Sequence, residues 1–206
     1  MNIGVIGSGN IGANAARLFV RAGHDVAISN SRGPDSLQDL VDEIGSNIRA
    51  TTVEEAAGFG EIVLIAIPFF ARETLPADEL AGKIVVDATN YYPGRDGEID
   101  FDGLTSSELL ARSIPGARLV KAFNTMYYET LANEGRTESE ERLVLFVAGD
   151  DEEAKVTVSG IIEQIGFAPV DTGPLREGGM KQHPGSAIYN NPMTEGQARE
   201  ILETLD

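Results

Sequence analysis

Short continuous apolar runs recur along the chain between stretches of helical periodicity, the pattern of parallel strands covered on both faces by crossover helices. The runs predict strands at Asn2–Ile6, Asp25–Ser29, Arg49–Thr51, Ile62–Ile67, Lys83–Asp87, Arg118–Ala122, Leu143–Ala148 and Ala168–Asp171. The clearest helix begins at Asn10 and stops at Gly23, a residue type suited to the left-handed position after a helix end. A second spans Glu152–Gln164, opened by Asp150 or Asp151 as N-cap and closed at Gly166. Asp35–Ile44, Ser106–Ala111 and Thr194–Leu205 are further helical stretches. Tyr91–Leu104, Glu134–Arg142 and Thr172–Pro192 read as irregular, the last rich in Gly and Pro. Alternation of this kind specifies one α/β domain over residues 1–206, a doubly wound, mostly parallel sheet with helices on both faces. Residues 172–206 form a short carboxyl-terminal extension, expected to cover a cleft or a dimer interface.

The first strand runs into IGVIGSGNIG, which places Gly7, Gly9 and Gly12 in a G-x-G-x-x-G between strand and helix. The first glycine permits the tight turn, the second lets a pyrophosphate approach the backbone, and the third lets helix pack on strand. Ser8, Asn10 and Ile11 complete the turn, and the helix N-terminus offers unpaired N–H groups to phosphates. The fold is therefore expected to be Rossmann-type. About 18 residues past Gly12, where NAD-binding chains place an acid on the ribose hydroxyls, stand Asn30, Ser31 and Arg32. A carboxylate would repel a 2′-phosphate, whereas a hydroxyl and a guanidinium accept one, so the nucleotide is read as NADP.

In an open parallel sheet, ligands collect beyond the carboxyl ends of the strands. IVLIAIPFF, IVVDATNYYPG and RLVKAFNTM each turn polar or aromatic there. They place Ala66, Ile67, Pro68, Phe69 and Phe70, then Thr89, Asn90 and Tyr91, then Phe123, Asn124, Thr125 and Met126 around one crevice. Ala66, Ile67, Pro68 and Asn90 are assigned to the nucleotide. Asn90, Asn124, Thr125 and Met126, joined by His183 from the tail, are assigned to positioning a second ligand, with core packing the competing role for the phenylalanines.

Composition narrows the chemistry. The 206 residues contain no cysteine and only two histidines, His24 and His183. Disulfides, thiolate metal sites and cysteine nucleophiles are thereby removed, and a His-rich metal site is not expected. His24, beside Gly23, is read as structural. Sixteen basic against 33 acidic residues leave a net charge of −17, with acidic clusters at Glu138–Glu141 and Asp150–Glu153. Nucleic acid is not an expected partner, because phosphate neutralisation needs a basic face. The longest apolar run, Ile62–Ala71, is broken by Pro68 and falls short of the roughly 20 residues that span a bilayer. With no signal-like start, the protein is expected to be cytoplasmic. No catalytic triad, catalytic-lysine signature or paired carboxylates can be picked out, so no residue is assigned as catalytic, and chemistry is expected to come from a bound cofactor.

GSGNIG with the following NSR, then VDATN, VKAFNTM, the GDD before the Glu152 helix and DTGPL resemble the NADP oxidoreductase family whose best-known members reduce the deazaflavin coenzyme F-420. The likeness runs from Met1 to about Leu175, and the same module is similar to the reductase domain of the STEAP metalloreductases. It implies NADPH on Gly7 to Gly12, Ser31 and Arg32 on the 2′-phosphate, a deazaflavin or flavin acceptor over the nicotinamide, and a homodimer. Archaeal members carry a histidine in the segment matching Ala122–Thr125, where this chain has Phe123 and Asn124. The expected function is hydride transfer between NADP(H) and such an acceptor. A module that senses NADP(H) without turnover and a flavin-linked ferric reductase are the alternatives. An imine or β-hydroxyacid reductase would need a further helical domain beyond the some 30 residues that follow the last strand.

Overall fold

The computed structural model describes residues 1–136 and 141–205; Glu138 to Glu140 of the expected acidic cluster, and residues 137–140 of the irregular Glu134–Arg142 segment, lie outside the described residues. Eight strands form one sheet: β1 Asn2–Ile6, β2 Asp25–Ser29, β3 Ile48–Ala50, β4 Ile62–Ile65, β5 Ile84–Asp87, β6 Arg118–Ala122, β7 Val144–Gly149 and β8 Ala168–Asp171. The helices are α1 Asn10–Arg21, α2 Gln38–Ile44, α3 Val53–Phe59, α4 Ala77–Leu80, α5 Pro93–Asp96, α6 Ser106–Ser113, α7 Tyr128–Asn133, α8 Glu152–Gln164, α9 Leu175–Lys181 and α10 Glu195–Leu202.

The strand order is β3-β2-β1-β4-β5-β6-β7-β8. The first six strands run parallel, β7 lies antiparallel to β6, and β8 is parallel to β7. This is the Rossmann-type α/β fold, and the order reverses between β1 and β4, where a crevice opens at the carboxyl ends. Each face of the sheet carries its own core. Ile3, Val5, Ile28, Leu64 and Val120 pack under α1 and α8; Ile65, Val85 and Leu119 pack under α3 and α6. Burial on both faces is why these strands read as unbroken apolar runs rather than as alternation. Among the described residues, no helix is long and apolar enough to cross a membrane.

Several elements depart from the sequence expectation. The tail expected to be irregular contains α9, whose Gly178 and Gly179 face the sheet so closely that a Cβ on Gly178 would meet Ala148 at 2.7 Å. Such a helix packs through missing side chains rather than an apolar stripe. α3 carries a Thr52–Glu55 capping box and α7 follows Tyr127, both outside the expected helices. Of the two candidate caps for α8, Asp151 accepts from the Ala154 N–H, while Asp150 accepts from the Leu175 N–H at the start of α9. His24 is buried, edge-on to Phe19, and burial holds its imidazole below the usual range.

One ion pair lies inside the sheet. Asp87 and Lys121 are register partners on β5 and β6, and Nζ stands 3.1 Å from Oδ2 with the two side chains 2% and 0% exposed. Ser107 Oγ on α6 and both the N–H and the hydroxyl of Thr89 donate to the same carboxylate, and Nζ also donates to the Thr89 carbonyl. Removing one partner leaves a buried charge uncompensated, so Lys121→Met is expected to cost about 3–5 kcal/mol in denaturant unfolding. Lys121→Met combined with Asp87→Asn is expected to cost less than the two single changes summed, a non-additivity that a double-mutant cycle measures directly.

Candidate functional site

The turn after β1 assigns different work to its three glycines. Gly7 sits at φ +108°, and a Cβ there would strike the Ala66 carbonyl; a Cβ on Gly12 would strike the carbonyl of Gly7. Both are demanded by the fold. Gly9 has φ −70° and nothing within 4 Å of a Cβ. The protein itself makes no demand for glycine at that position, yet it stands at the N-cap of α1, without a side-chain cap and without an acid in the first turn. The free N–H groups and partial positive charge of a helix start are left open to an anion there.

At the end of β2, the Asn30 amide donates to Ser8 Oγ at 3.0 Å, and its oxygen accepts from the Arg32 N–H. The loop carrying Ser31 and Arg32 is thus tied to the glycine turn. Both side chains are exposed, and among the described residues no acid pairs with the Arg32 guanidinium.

A cleft of about 500 Å³ opens where the strand order reverses. Of the residues named from sequence, Gly9, Asn10, Ile11, Ala66, Ile67, Pro68, Thr89, Asn90, Asn124 and Met126 line it. The ladder of β4 ends at Ile65 rather than Ile67, which frees Ala66 and Ile67 to face the cleft. Two amides form the floor. Asn90 donates to the Asn124 carbonyl at 2.8 Å, and Asn124 Nδ2 donates to Asn90 Oδ1 and to the Gln182 carbonyl. Asn124 is 5% exposed and its Oδ1 has no partner. A buried acceptor of that kind suits a ligand N–H.

Other expected residues lie elsewhere. Phe69 is fully buried, packed between Tyr91 and Phe101, and Phe70 is exposed away from the cleft. Phe123 packs edge-on against Phe19 in the core, at φ +66°. Thr125 is buried and contributes its carbonyl, which accepts from the Asn190 N–H at 2.7 Å. His183 is exposed and does not line the cleft. Gly7, Ser8 and Gly12 of the turn, and Asn30, Ser31 and Arg32, do not line the cleft.

Sequence reasoning missed much of the opposite wall. Four of the five tyrosines, Tyr92, Tyr127, Tyr128 and Tyr189, line the cleft together with Arg95 and Asn190. The hydroxyls of Tyr92 and Tyr189 are hydrogen-bonded to each other, joining the loop after β5 to the tail. Tyr127 and Tyr128 have ring centroids 4.5 Å apart. Tyr127 and the Glu129 carboxylate push the Tyr128 phenol up to about 12, and burial followed by Tyr92 raises Tyr189 as well. The Tyr128 and Tyr189 phenols therefore stay protonated near neutrality. The available signal was the pair Tyr127-Tyr128, directly after VKAFNTM. Among the described residues, no cluster of acids or histidines could hold a metal ion.

Residues 2–91 match the family model described as NADP oxidoreductase, coenzyme F420-dependent. The hypothetical protein SMa0349 of Sinorhizobium meliloti is 32% identical, with a TM-score of 0.81 over 95% of each chain. A protein of Arthrobacter sp. FB24, provisionally named an F420-dependent NADP-reductase, is 26% identical, with a TM-score of 0.71 over 84% of this chain and 85% of its own. Metalloreductase STEAP3 of Rattus norvegicus is 31% identical over 175 residues, 84% of this chain and 34% of that protein. The chain spans about a third of the length of the curated relatives it matches. The family match takes in the first strand, the glycine turn and the amide at Asn90, and the relatives continue the likeness toward the tail: residues 2–91 belong to the NADP oxidoreductase, coenzyme F420-dependent, family.

Proposed function

We propose that the protein transfers hydride between NADP(H) and a flavin-type acceptor, either the deazaflavin coenzyme F-420 or a flavin. The observation that carries this reading is the continuity of the cleft. A single cavity joins the open start of α1 at Gly9–Ile11 to the amides Asn90 and Asn124 and to the tyrosine wall. One end suits a dinucleotide, and the other suits a planar ring that needs stacking surface and donors.

The nucleotide fits the residues present. Gly9 leaves room that the fold does not need, and Ser31 and Arg32 are exposed with no acid paired to the guanidinium. When bound, the nicotinamide supplies the hydride. Asn124 Oδ1 offers a buried acceptor to a carboxamide N–H, and Ile67, Pro68 and Met126 exclude water from the transfer path. No titrating group of the cleft is needed as acid or base, because catalysis by alignment asks only that donor and acceptor atoms be held at about 3–3.5 Å. The same proposal takes the protein as cytoplasmic and, as the resemblance implies, as a homodimer, with the tail from residue 172 closing the acceptor side. The likeness to STEAP3, a metalloreductase by name, makes ferric chelates the second acceptor to try. The deciding assay is the loss of NADPH absorbance with deazaflavin, flavin mononucleotide or a ferric chelate. Absence of turnover with all three would leave a nucleotide sensor.

Gly9→Ala is expected to abolish NADPH binding in calorimetric titration while leaving the melting temperature nearly unchanged, because the added methyl meets only ligand. Arg32→Ala is expected to weaken NADPH by about 1.5–3 kcal/mol and NADH hardly at all. Asn124→Ala is expected to lower kcat through looser ring alignment. His183→Ala should leave every limb of the kcat pH profile in place, and loss of a limb near pH 6 to 7 would make that residue a general acid or base.

A further inference from the structure

Arg95 is the only charged side chain lining the cleft among the described residues, in a chain of net charge −17. Its guanidinium is held rigidly. Nε and Nη2 donate to the two oxygens of Asp96 at 3.0 and 2.9 Å, and Nη2 also donates to the Asn90 carbonyl at 2.6 Å. The group stands 4.9 Å over the Tyr92 ring. Asp96 has no exposed side-chain surface, and the Phe70 and Tyr92 N–H groups occupy its remaining acceptor positions. Burial alone would raise that carboxyl, but the bonds from Arg95 and from these backbone groups hold it below its ordinary value. The anion therefore faces inward and is saturated, whereas the cation is 43% exposed and its Nη1 has no hydrogen-bond partner among the described residues.

The position of Arg95 separates it from the nucleotide end. In the order β3-β2-β1-β4-β5-β6, Arg32 follows β2 and Arg95 follows β5, with β1 and β4 between them. Arg95 shares its wall with Tyr92, Tyr189 and Asn190, the ring-binding side. A pre-set guanidinium with an unused donor edge is suited to phosphate. We propose that Arg95 selects the acceptor by binding a phosphate on its side chain, so that the substrate class is a phosphorylated flavin or deazaflavin rather than the bare ring system. This rests on the hydride-transfer reading above.

Flavin mononucleotide and riboflavin share one ring and differ in the phosphate. Each is titrated by fluorescence quenching into the NADP-loaded protein, and NADPH oxidation is followed with each. The wild-type chain is expected to bind the mononucleotide roughly ten- to a hundredfold more tightly, and rising salt should erode that advantage. In the paired substitution R95Q/D96N, which removes both charges together, the affinity ratio should fall to near one. Equal wild-type affinity for the two flavins with turnover intact overturns the Arg95 assignment alone, without recourse to any variant. A parallel loss of NADPH affinity in R95Q/D96N also overturns it, since Arg95 would then serve the nucleotide. Tight, Arg95-dependent binding of the mononucleotide with no NADPH oxidation by it, by the deazaflavin or by a ferric chelate overturns the hydride reading and leaves the phosphate site standing. Failure of both flavins to bind overturns the Arg95 assignment, and overturns the hydride reading as well if NADPH is not oxidised by the deazaflavin or a ferric chelate either.

Discussion

The arrangement of the site depends on one buried ion pair. Asp87 and Lys121 lie side by side at the ends of β5 and β6, the two strands whose extensions bring Ala88, Thr89, Asn90, Asn124 and Met126 to the cleft. Two charges taken out of water are tolerated only where geometry and extra hydrogen bonds offset desolvation. Here Thr89 and Ser107 complete the carboxylate, and the Thr89 carbonyl takes a further bond from Nζ. Thr89 itself lines the cleft, so the network that neutralises the charges also fixes the start of the loop presenting Asn90.

Strain is placed next to that anchor. Phe123 and Asn190 both hold positive φ, at +66° and +51°. A residue other than glycine in this region costs on the order of 1–3 kcal/mol and persists only where its surroundings over-determine it. Phe123 is held by the aromatic contact with Phe19, and Asn190 by its N–H bond to the Thr125 carbonyl. The kink at Phe123 turns its ring into the core while the next residue, Asn124, faces the cleft. A phenylalanine is thereby spent on packing precision rather than on the ligand, against the simplest expectation for a strand end.

The parts of the fold that were readable are those with strong local signals. Parallel strands buried on both faces must be apolar throughout, and the turn from Ile6 to Gly12 needs its glycines for reasons that spacing alone expresses. What stayed hidden depended on distant partners. Gly178 and Gly179 are helix-breaking residues by propensity, yet α9 forms because only glycine lets it approach Ala148. An apolar residue at a strand end does not reveal whether it faces core or cleft, so Phe69 and Phe123 could not be separated from Ile67 and Met126. Arg95 sits in a Pro-Gly turn that reads as loop, and Tyr189 reaches the site only through the fold-back of the tail. Asn190 had no local signal at all.

That fold-back orders the assembly of the molecule. The nucleotide end is made from β1, α1 and β2, neighbours in the chain, whereas the far wall closes through contacts across long sequence separations: 58 residues between Asn124 and Gln182, and 97 between Tyr92 and Tyr189. Loop closure must precede such contacts, so they form late. A chain emerging from synthesis therefore completes its glycine turn well before it completes its tyrosine wall, and the cleft is finished only once the tail bearing Gln182, Tyr189 and Asn190 has folded back.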